Sequence, residues 1–246
     1  MRYNVFNNLL VDLTLTNWFK LLTMELKMKF LKTTIVAGLL ATSGAATAVE
    51  LTGNVALTTD YIWRGVSQTG ADPAIQGGFD ADLGNGLYAG VWASNVDFDD
   101  DASIEVDVYG GWAGEFNGVG VDVGYIHYHY PSETYQLDEI YVGLSYGPVS
   151  FTQYFDLSID NDDELGDYSD LGLDLGEYNG VAISAHAGFY NVDSNAGGDD
   201  YWDYKIAAST SMFSVDWELA LTGTDENTSS GDAADDAVVL TVSKSL

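Results

Sequence analysis

The chain has 246 residues and no cysteine, and its 38 acidic residues against eight basic ones give a net charge of −30 at neutral pH. A negative charge of this size repels nucleic acid and anionic surfaces, which excludes nucleic-acid binding. Without cysteine, disulfide scaffolds and cysteine-based metal sites are excluded as well.

The first predicted element is a secretory signal peptide over residues 28–48. It has a basic head at Lys29 and Lys32, a short apolar middle over residues 33–40, and small residues at Ala46-Thr47-Ala48. The apolar middle is well short of the roughly 20 residues that a membrane-spanning helix needs, and no later segment supplies such a run. We therefore expect cleavage after Ala48.

Residues 1–27 fit no signal-peptide plan, and we interpret them as an upstream mis-start or an unstructured extension. The mature chain is then residues 49–246, predicted to form one domain. Five of the eight basic residues and two of the 38 acidic ones precede the cleavage site, so the mature chain keeps 36 acidic and three basic residues.

From residue 51 onward, apolar residues alternate with polar or small ones, which is the period of a strand with two different faces. In the first segment Leu51, Val55 and Leu57 share one face, while Thr52 and Asn54 share the other. The alternation predicts twelve strands, at residues 51–64, 74–84, 86–97, 102–115, 119–130, 136–146, 148–157, 168–176, 180–190, 201–210, 213–223 and 236–246.

The links between these strands alternate between short turns and longer acidic loops. The short turns fall at residues 84–86, 116–118, 146–148, 177–180 and 210–212. This asymmetry is typical of an up-and-down barrel in a bacterial outer membrane, with both chain ends on the periplasmic side. Aromatic residues near strand ends are expected to form the interfacial girdles: Tyr61, Trp63, Trp112, Tyr125, Tyr130, Tyr146, Tyr201 and Trp202.

Carboxylates stand in the middle of strands, opposite apolar residues. The strands of a soluble β-sandwich would show the same alternation of apolar and polar residues. Their solvent-facing positions would include lysines as well as carboxylates, however, so strands with carboxylates and almost no lysine favour a water-filled barrel interior. The predicted pore-lining residues are Asp60, Arg64, Asp80, Asp82, Glu105, Asp107, Asp122, Glu139, Asp203, Lys205, Asp216 and Glu218. Acidic rings favour cations in a pore. The alternative is that these groups only keep a water-filled or plugged barrel interior hydrated.

Three segments resemble the TorF porin family. They are Asp60-Tyr61-Ile62-Trp63-Arg64-Gly65-Val66-Ser67-Gln68, residues 72–79 and residues 90–96. A weaker resemblance continues through residues 139–147 and reaches the C-terminal residues 242–245. The resemblance covers essentially the mature chain. It implies an outer-membrane barrel with a pore role and no catalytic residue. Leu246 departs from the terminal Phe that is common in such barrels.

Several features keep alternatives open. Arg64 is expected to pair with Asp60 or another interior carboxylate, or to anchor the loop that follows it. The acidic loops 97–101, 156–170, 193–200 and 225–236 are candidates for Ca²⁺ or Mg²⁺ binding, although we favour simply solvated loops. Of the three histidines, His127 and His129 share a strand face that suits a rim metal or interfacial hydrogen bonds. Ser184 and His186 also share a strand face and could belong to the Ser-His-acid set of a barrel enzyme such as a lipase, which is the least favoured alternative.

The sequence therefore predicts an all-β, twelve-stranded transmembrane barrel in the outer membrane of a Gram-negative bacterium. We expect a narrow, cation-preferring porin for passive diffusion of small solutes, with no enzyme activity, cofactor or metal. Its expected partners are outer-membrane lipid, lipopolysaccharide, small solutes or cations, and the barrel-assembly machinery. A non-conducting structural or adhesive barrel is the alternative. The solute and the oligomeric state stay open.

Overall fold

The structure is a computed structural model, and it describes residues 49–98, 100–133, 136–157, 165–192, 199–225 and 234–246. The predicted signal peptide and the residues before it lie outside this part of the chain. No helix within the described residues is long and apolar enough to span a membrane.

Twelve antiparallel strands close into one barrel, as the alternation predicted. Each strand pairs with its neighbours in chain order, and β1 closes the ring by pairing with β14. A separate two-stranded hairpin, β2–β3, follows β1. The strands are β1 Glu50–Thr58, β2 Ile62–Trp63, β3 Val66–Ser67, β4 Ala74–Gly84, β5 Leu87–Asn95, β6 Ile104–Phe116, β7 Val119–His129, β8 Gln136–Tyr146, β9 Val149–Asp156, β10 Gly166–Tyr178, β11 Val181–Val192, β12 Tyr201–Met212, β13 Val215–Thr224 and β14 Ala237–Ser245.

The two strand faces have different environments. Polar and small residues point into the barrel, where several carboxylates are almost fully buried. Large apolar residues on the alternate positions are exposed around the outside, among them Leu51, Leu57, Ile75, Phe79, Ile104, Val108, Leu144, Leu171, Ile206, Leu219, Leu221 and Val238. An apolar band that encircles a closed barrel is the arrangement found in outer-membrane proteins.

Tight turns connect neighbouring strands at one end of the barrel. Asn85-Gly86, Asn117-Gly118 and Asn179-Gly180 each form a two-residue link with positive φ at both positions. This conformation defines the type I′ turn, whose twist matches that of the flanking strands. The turn predicted at residues 210–212 was placed too early, because Phe213 and Ser214 are the pair with positive φ there.

The first strand is shorter than predicted. The sequence pattern suggested one strand over residues 51–64, but β1 ends at Thr58 and the chain turns into the barrel. The alternation continues past Thr58 because a hairpin strand has the same period as a barrel strand. In contrast, the strand predicted at residues 168–176 is longer, since β10 spans Gly166–Tyr178 and contains a bulge between Asp174 and Gly176.

The predicted aromatic girdle is wrong for Tyr61, Trp63, Tyr130 and Tyr201. These rings lie inside the barrel, where Tyr61 and Tyr130 both donate to Glu105. Tyr61 and Trp63 belong to the segment after β1 that enters the barrel, whereas Tyr130 follows β7 and Tyr201 begins β12 at the end with the long loops. Tyr146 and Trp202 do lie exposed on the outer face, as a girdle requires.

Candidate functional site

The candidate site is the barrel interior, and its main feature is the segment 59–73 between β1 and β4, which we call the inner loop. Asp60 organises it by accepting hydrogen bonds from the hydroxyls of Ser67 at 2.6 Å and Thr69 at 3.0 Å. The Ser67 hydroxyl in turn accepts from the Ala71 amide at 2.9 Å. Asp60, predicted as a pore-lining residue, therefore holds the inner loop together.

Arg64 at the tip of the inner loop reaches the opposite wall. Its Nη2 donates to both carboxylate oxygens of Glu139 on β8, each at 2.7 Å. Its backbone carbonyl accepts from the Tyr201 hydroxyl on β12 at 3.1 Å. Because β9 lies six strands from β1 in either direction round the ring, the neighbouring β8 lies on the far side of the barrel, and β12 lies a quarter of the way round it. The inner loop thus crosses the interior.

Four aromatic rings surround the Arg64 guanidinium. Its Cζ lies 4.1 Å from the ring centroid of Trp63, 4.4 Å from Tyr168, and 5.1 Å from both Tyr154 and Tyr190. Rings at this distance attract a cation through their electron-rich faces. Burial opposes the charge on Arg64, but the Glu139 carboxylate outweighs it and the pKa of the guanidinium is raised.

A second contact anchors the start of the inner loop. The Tyr61 hydroxyl donates to Glu105 on β6 at 2.8 Å, and Tyr130 donates to the other oxygen of that carboxylate at 2.7 Å. Burial, reinforced by the Glu105 charge, raises the pKa of Tyr61 well above its usual value, so the phenol stays a donor. Glu105 is 2% exposed, which makes it a structural anchor for the loop.

Tyrosine hydroxyls also hold the carboxylates of the wall. Tyr88 donates to Asp122 at 2.7 Å, and Tyr109 donates to Asp80. Tyr128 donates to Glu139 at 3.0 Å. A phenol is a neutral donor, so these bonds orient the carboxylates without cancelling their charge.

His186 on β11 connects two further carboxylates. Its Nδ1 lies 2.9 Å from Asp170 and its Nε2 lies 2.6 Å from Asp203. Asp203 also accepts from the Tyr168 hydroxyl at 3.0 Å. Both ring nitrogens are therefore engaged by carboxylates, and within the described part of the chain Ser184 makes no hydrogen bond to this histidine.

The remaining predicted pore-lining residues lie nearer the short turns or are less tightly held. Lys205 contacts Glu218 at 3.2 Å, and both side chains are partly exposed. Beside the turn between β12 and β13, Asp216 accepts from the Ser211 hydroxyl at 2.5 Å. Asp82 accepts from the Gly84 amide at 2.7 Å. Asp107 is buried on β6, and one of its carboxylate oxygens has no partner within the described residues.

The other two histidines lie on the outside. His127 Nδ1 is 2.8 Å from Asp138, which also accepts from Tyr125, and the His127 and His129 rings are stacked.

Within the described ranges, no group of three or more His, Asp or Glu side chains is arranged to hold a metal ion. Much of the acidic loops, including residues 158–164, 193–198 and 226–233, lies outside the described residues.

A family model described as "Bacterial protein of unknown function (Gcw_chp)" matches residues 42–246. The chain belongs to the Gcw_chp family. No curated protein matches the sequence. The resemblance of this Gcw_chp chain to the TorF family stays a prediction.

Solved structures similar to this Gcw_chp barrel include two porins. It is 9% identical to a structure described as "KdgM porin", with a TM-score of 0.54 over 79% of this chain and 99% of that chain. It is 12% identical to the NanC porin, with a TM-score of 0.52 over 79% of this chain and 98% of that chain. The Gcw_chp chain therefore has a porin-like barrel fold.

Sequence reasoning missed the ring of tyrosines in this Gcw_chp interior. Tyr128, Tyr154, Tyr168, Tyr190 and Tyr201 were not named as interior residues, although all of them contact the inner loop or its carboxylate partner. One signal pointed to them. Sixteen tyrosines against eight basic residues give the chain twice as many phenol donors as cationic side chains to meet its buried carboxylates.

Proposed function

We infer that this protein is an outer-membrane porin of a Gram-negative bacterium, with a narrow, cation-preferring interior that the inner loop constricts. Its substrates are small solutes or cations that diffuse passively, and no covalent chemistry is involved. The exposed apolar band supports a position in lipid, because such a band is otherwise unfavourable in water. Lipid, lipopolysaccharide and the barrel-assembly machinery are its proposed partners.

The observation that carries the proposal is the uncompensated negative charge of the interior. Arg64 is paired with Glu139, and Lys205 is paired with Glu218. Asp80 and Asp122 are held by neutral tyrosines instead. Fixed carboxylates lower the energy of a cation in a pore and raise that of an anion, so the interior favours cations.

The proposed pore is narrow for two reasons. A barrel of twelve strands lies between eight strands, whose interior is filled by side chains, and sixteen, which leave an open channel. The inner loop then occupies part of this interior with Trp63 and Arg64. Small ions and monomeric solutes suit the remaining space, and large oligomers do not.

The test is single-channel recording in a planar bilayer under a KCl gradient. We expect discrete conductance steps and a cation-selective reversal potential. The double substitution Asp80→Asn and Asp122→Asn should shift the reversal potential towards zero, while Asp235→Asn on an outer loop removes a charge without changing the interior. Equal shifts in both variants would contradict the assignment of interior selectivity.

A non-conducting barrel is the second candidate, and the crossing of the interior by the inner loop favours it. A wild-type protein that is silent in the bilayer, together with a silent variant in which the loop cannot dock, would support this structural role. Conductance of either protein would support the porin.

A further inference from the structure

We propose that Glu139, Tyr154, Tyr168 and Tyr190 form a recognition site for a small guanidinium-bearing solute, and that Arg64 fills this site as a tethered substitute. We call these four wall residues the guanidinium cage. The proposal rests on the porin function inferred above and names the class of solute that the interior recognises.

The guanidinium cage has the chemistry that this class of cation requires. Glu139 is fully buried and presents both carboxylate oxygens at 2.7 Å to one guanidinium nitrogen. The three tyrosine rings lie 4.4 to 5.1 Å from the guanidinium carbon. A carboxylate combined with aromatic faces binds a planar, weakly hydrated cation better than a compact, strongly hydrated one. A guanidinium group is therefore preferred over a metal ion.

All four residues of the cage belong to the barrel wall and not to the inner loop. Glu139 lies on β8, Tyr154 on β9, Tyr168 on β10 and Tyr190 on β11. Tyr128 on β7 donates to Glu139 at 3.0 Å, and Asp203 on β12 accepts from Tyr168. Because backbone pairing and these bonds hold the wall, the cage is expected to keep its shape when Arg64 leaves it.

Arg64 itself is an incomplete match for the cage. Among the described residues, neither its Nη1 nor the buried hydroxyl of Tyr190 makes a hydrogen bond of regular geometry. The Arg64 backbone has a φ of 49°, in the left-handed region that an arginine seldom adopts. A free guanidinium compound carries no such backbone restriction, so it can turn to donate to Tyr190 as well as to Glu139.

Competition between Arg64 and a free solute is physically reasonable. A group tethered by a short flexible segment has an effective concentration in the millimolar range. The hydrogen bonds of Asp60 and Glu105 order the inner loop and raise this value for Arg64. A free guanidinium compound therefore competes for the cage at millimolar concentration or above, and its binding releases the tip of the inner loop from the far wall. Solute recognition and widening of the pore are coupled in this way.

The test is isothermal titration calorimetry of the purified protein in detergent micelles. The probe is ethylguanidinium chloride, and ethylurea serves as its neutral analogue of the same shape. We expect Arg64→Ala to bind ethylguanidinium at least about tenfold more tightly than the wild type, because in the wild type the ligand must break the charge-assisted hydrogen bonds of Arg64 to Glu139, each worth about that factor. Ethylurea should bind neither protein.

Two further variants locate the site. Adding Glu139→Gln to Arg64→Ala should lower the affinity by about tenfold or more, because the charged acceptor is lost. Lys205→Ala is the control, because it removes the basic partner of a different interior carboxylate, Glu218. This variant should not gain ethylguanidinium binding. Should Arg64→Ala fail to fold, Gly65→Ala displaces the inner loop while leaving the whole cage intact.

The result that overturns the proposal is a folded Arg64→Ala protein that binds no ethylguanidinium, or that binds ethylurea equally well. This readout does not depend on conduction. Binding without conductance in any variant would refute the porin function and keep the guanidinium cage, whereas conductance without binding would refute the cage and keep the porin.

Discussion

Gly65 lies against Asp203 on β12 of the barrel wall. A Cβ placed on Gly65 would come within 2.5 Å of the Asp203 Cβ, and the backbone there has a φ of 81°. Both facts require glycine at this position. The inner loop can therefore dock only because the residue after Arg64 has no side chain.

Gly65→Ala is predicted to displace the inner loop and increase single-channel conductance. The left-handed backbone costs an alanine about 1 kcal/mol, and the overlap with Asp203 adds to this. Gly70→Ala in the same loop is the matched control, because Gly70 also has a positive φ of 59° but has no atom within 4 Å of its added Cβ. Equal conductance of the two variants would show that docking of the loop does not limit the current.

Tyr61→Phe is predicted to weaken the attachment of the inner loop to β6. The substitution removes the hydroxyl that donates to the buried Glu105 at 2.8 Å. A hydrogen bond to a charged group contributes about 1.5–3 kcal/mol, and the free energy of unfolding in urea should fall within that range. Tyr178→Phe is the control, since its side chain is exposed. A loss of the same size in both variants would contradict the anchoring role of Tyr61.

His186→Asn is predicted to destabilise the barrel wall at β10 to β12. It removes the ring that contacts Asp170 at 2.9 Å and Asp203 at 2.6 Å, and asparagine is too short to reach both carboxylates. Leaving the buried Asp203 with fewer donors costs about 1–3 kcal/mol of unfolding free energy. His129→Asn, on the outer face, should be close to neutral. If His186→Asn were neutral as well, the two carboxylates would not depend on the histidine.

Leu219→Arg tests which face of β13 contacts lipid. Leu219 is exposed on the outer face near the middle of the strand. An arginine facing lipid at mid-membrane costs about 2–4 kcal/mol, measured as unfolding from lipid vesicles. Ser209→Arg on the neighbouring β12 is the control, because it points inward and lies beside Glu218. Greater destabilisation by Ser209→Arg would reverse the assignment of the two faces.

Much of the fold could be predicted because strand alternation is a local property. The apolar face of β1 at Leu51, Val55 and Leu57 and the Asn-Gly turns each depend only on adjacent residues. The number of strands follows from counting such segments. The path of residues 59–73 could not be predicted in this way, because Tyr61 and Trp63 continue the same period while the chain leaves the wall.

The sequence by itself determined a twelve-stranded barrel with carboxylates inside and apolar residues outside, since alternation and charge are written along the chain. Only the tertiary structure decided which side chains meet across the interior. Arg64 and Glu139 are 75 positions apart, and Tyr201 is a further 62 positions beyond Glu139. Their meeting depends on closure of the ring, which sets the distance between opposite walls, and on the absence of a side chain at Gly65.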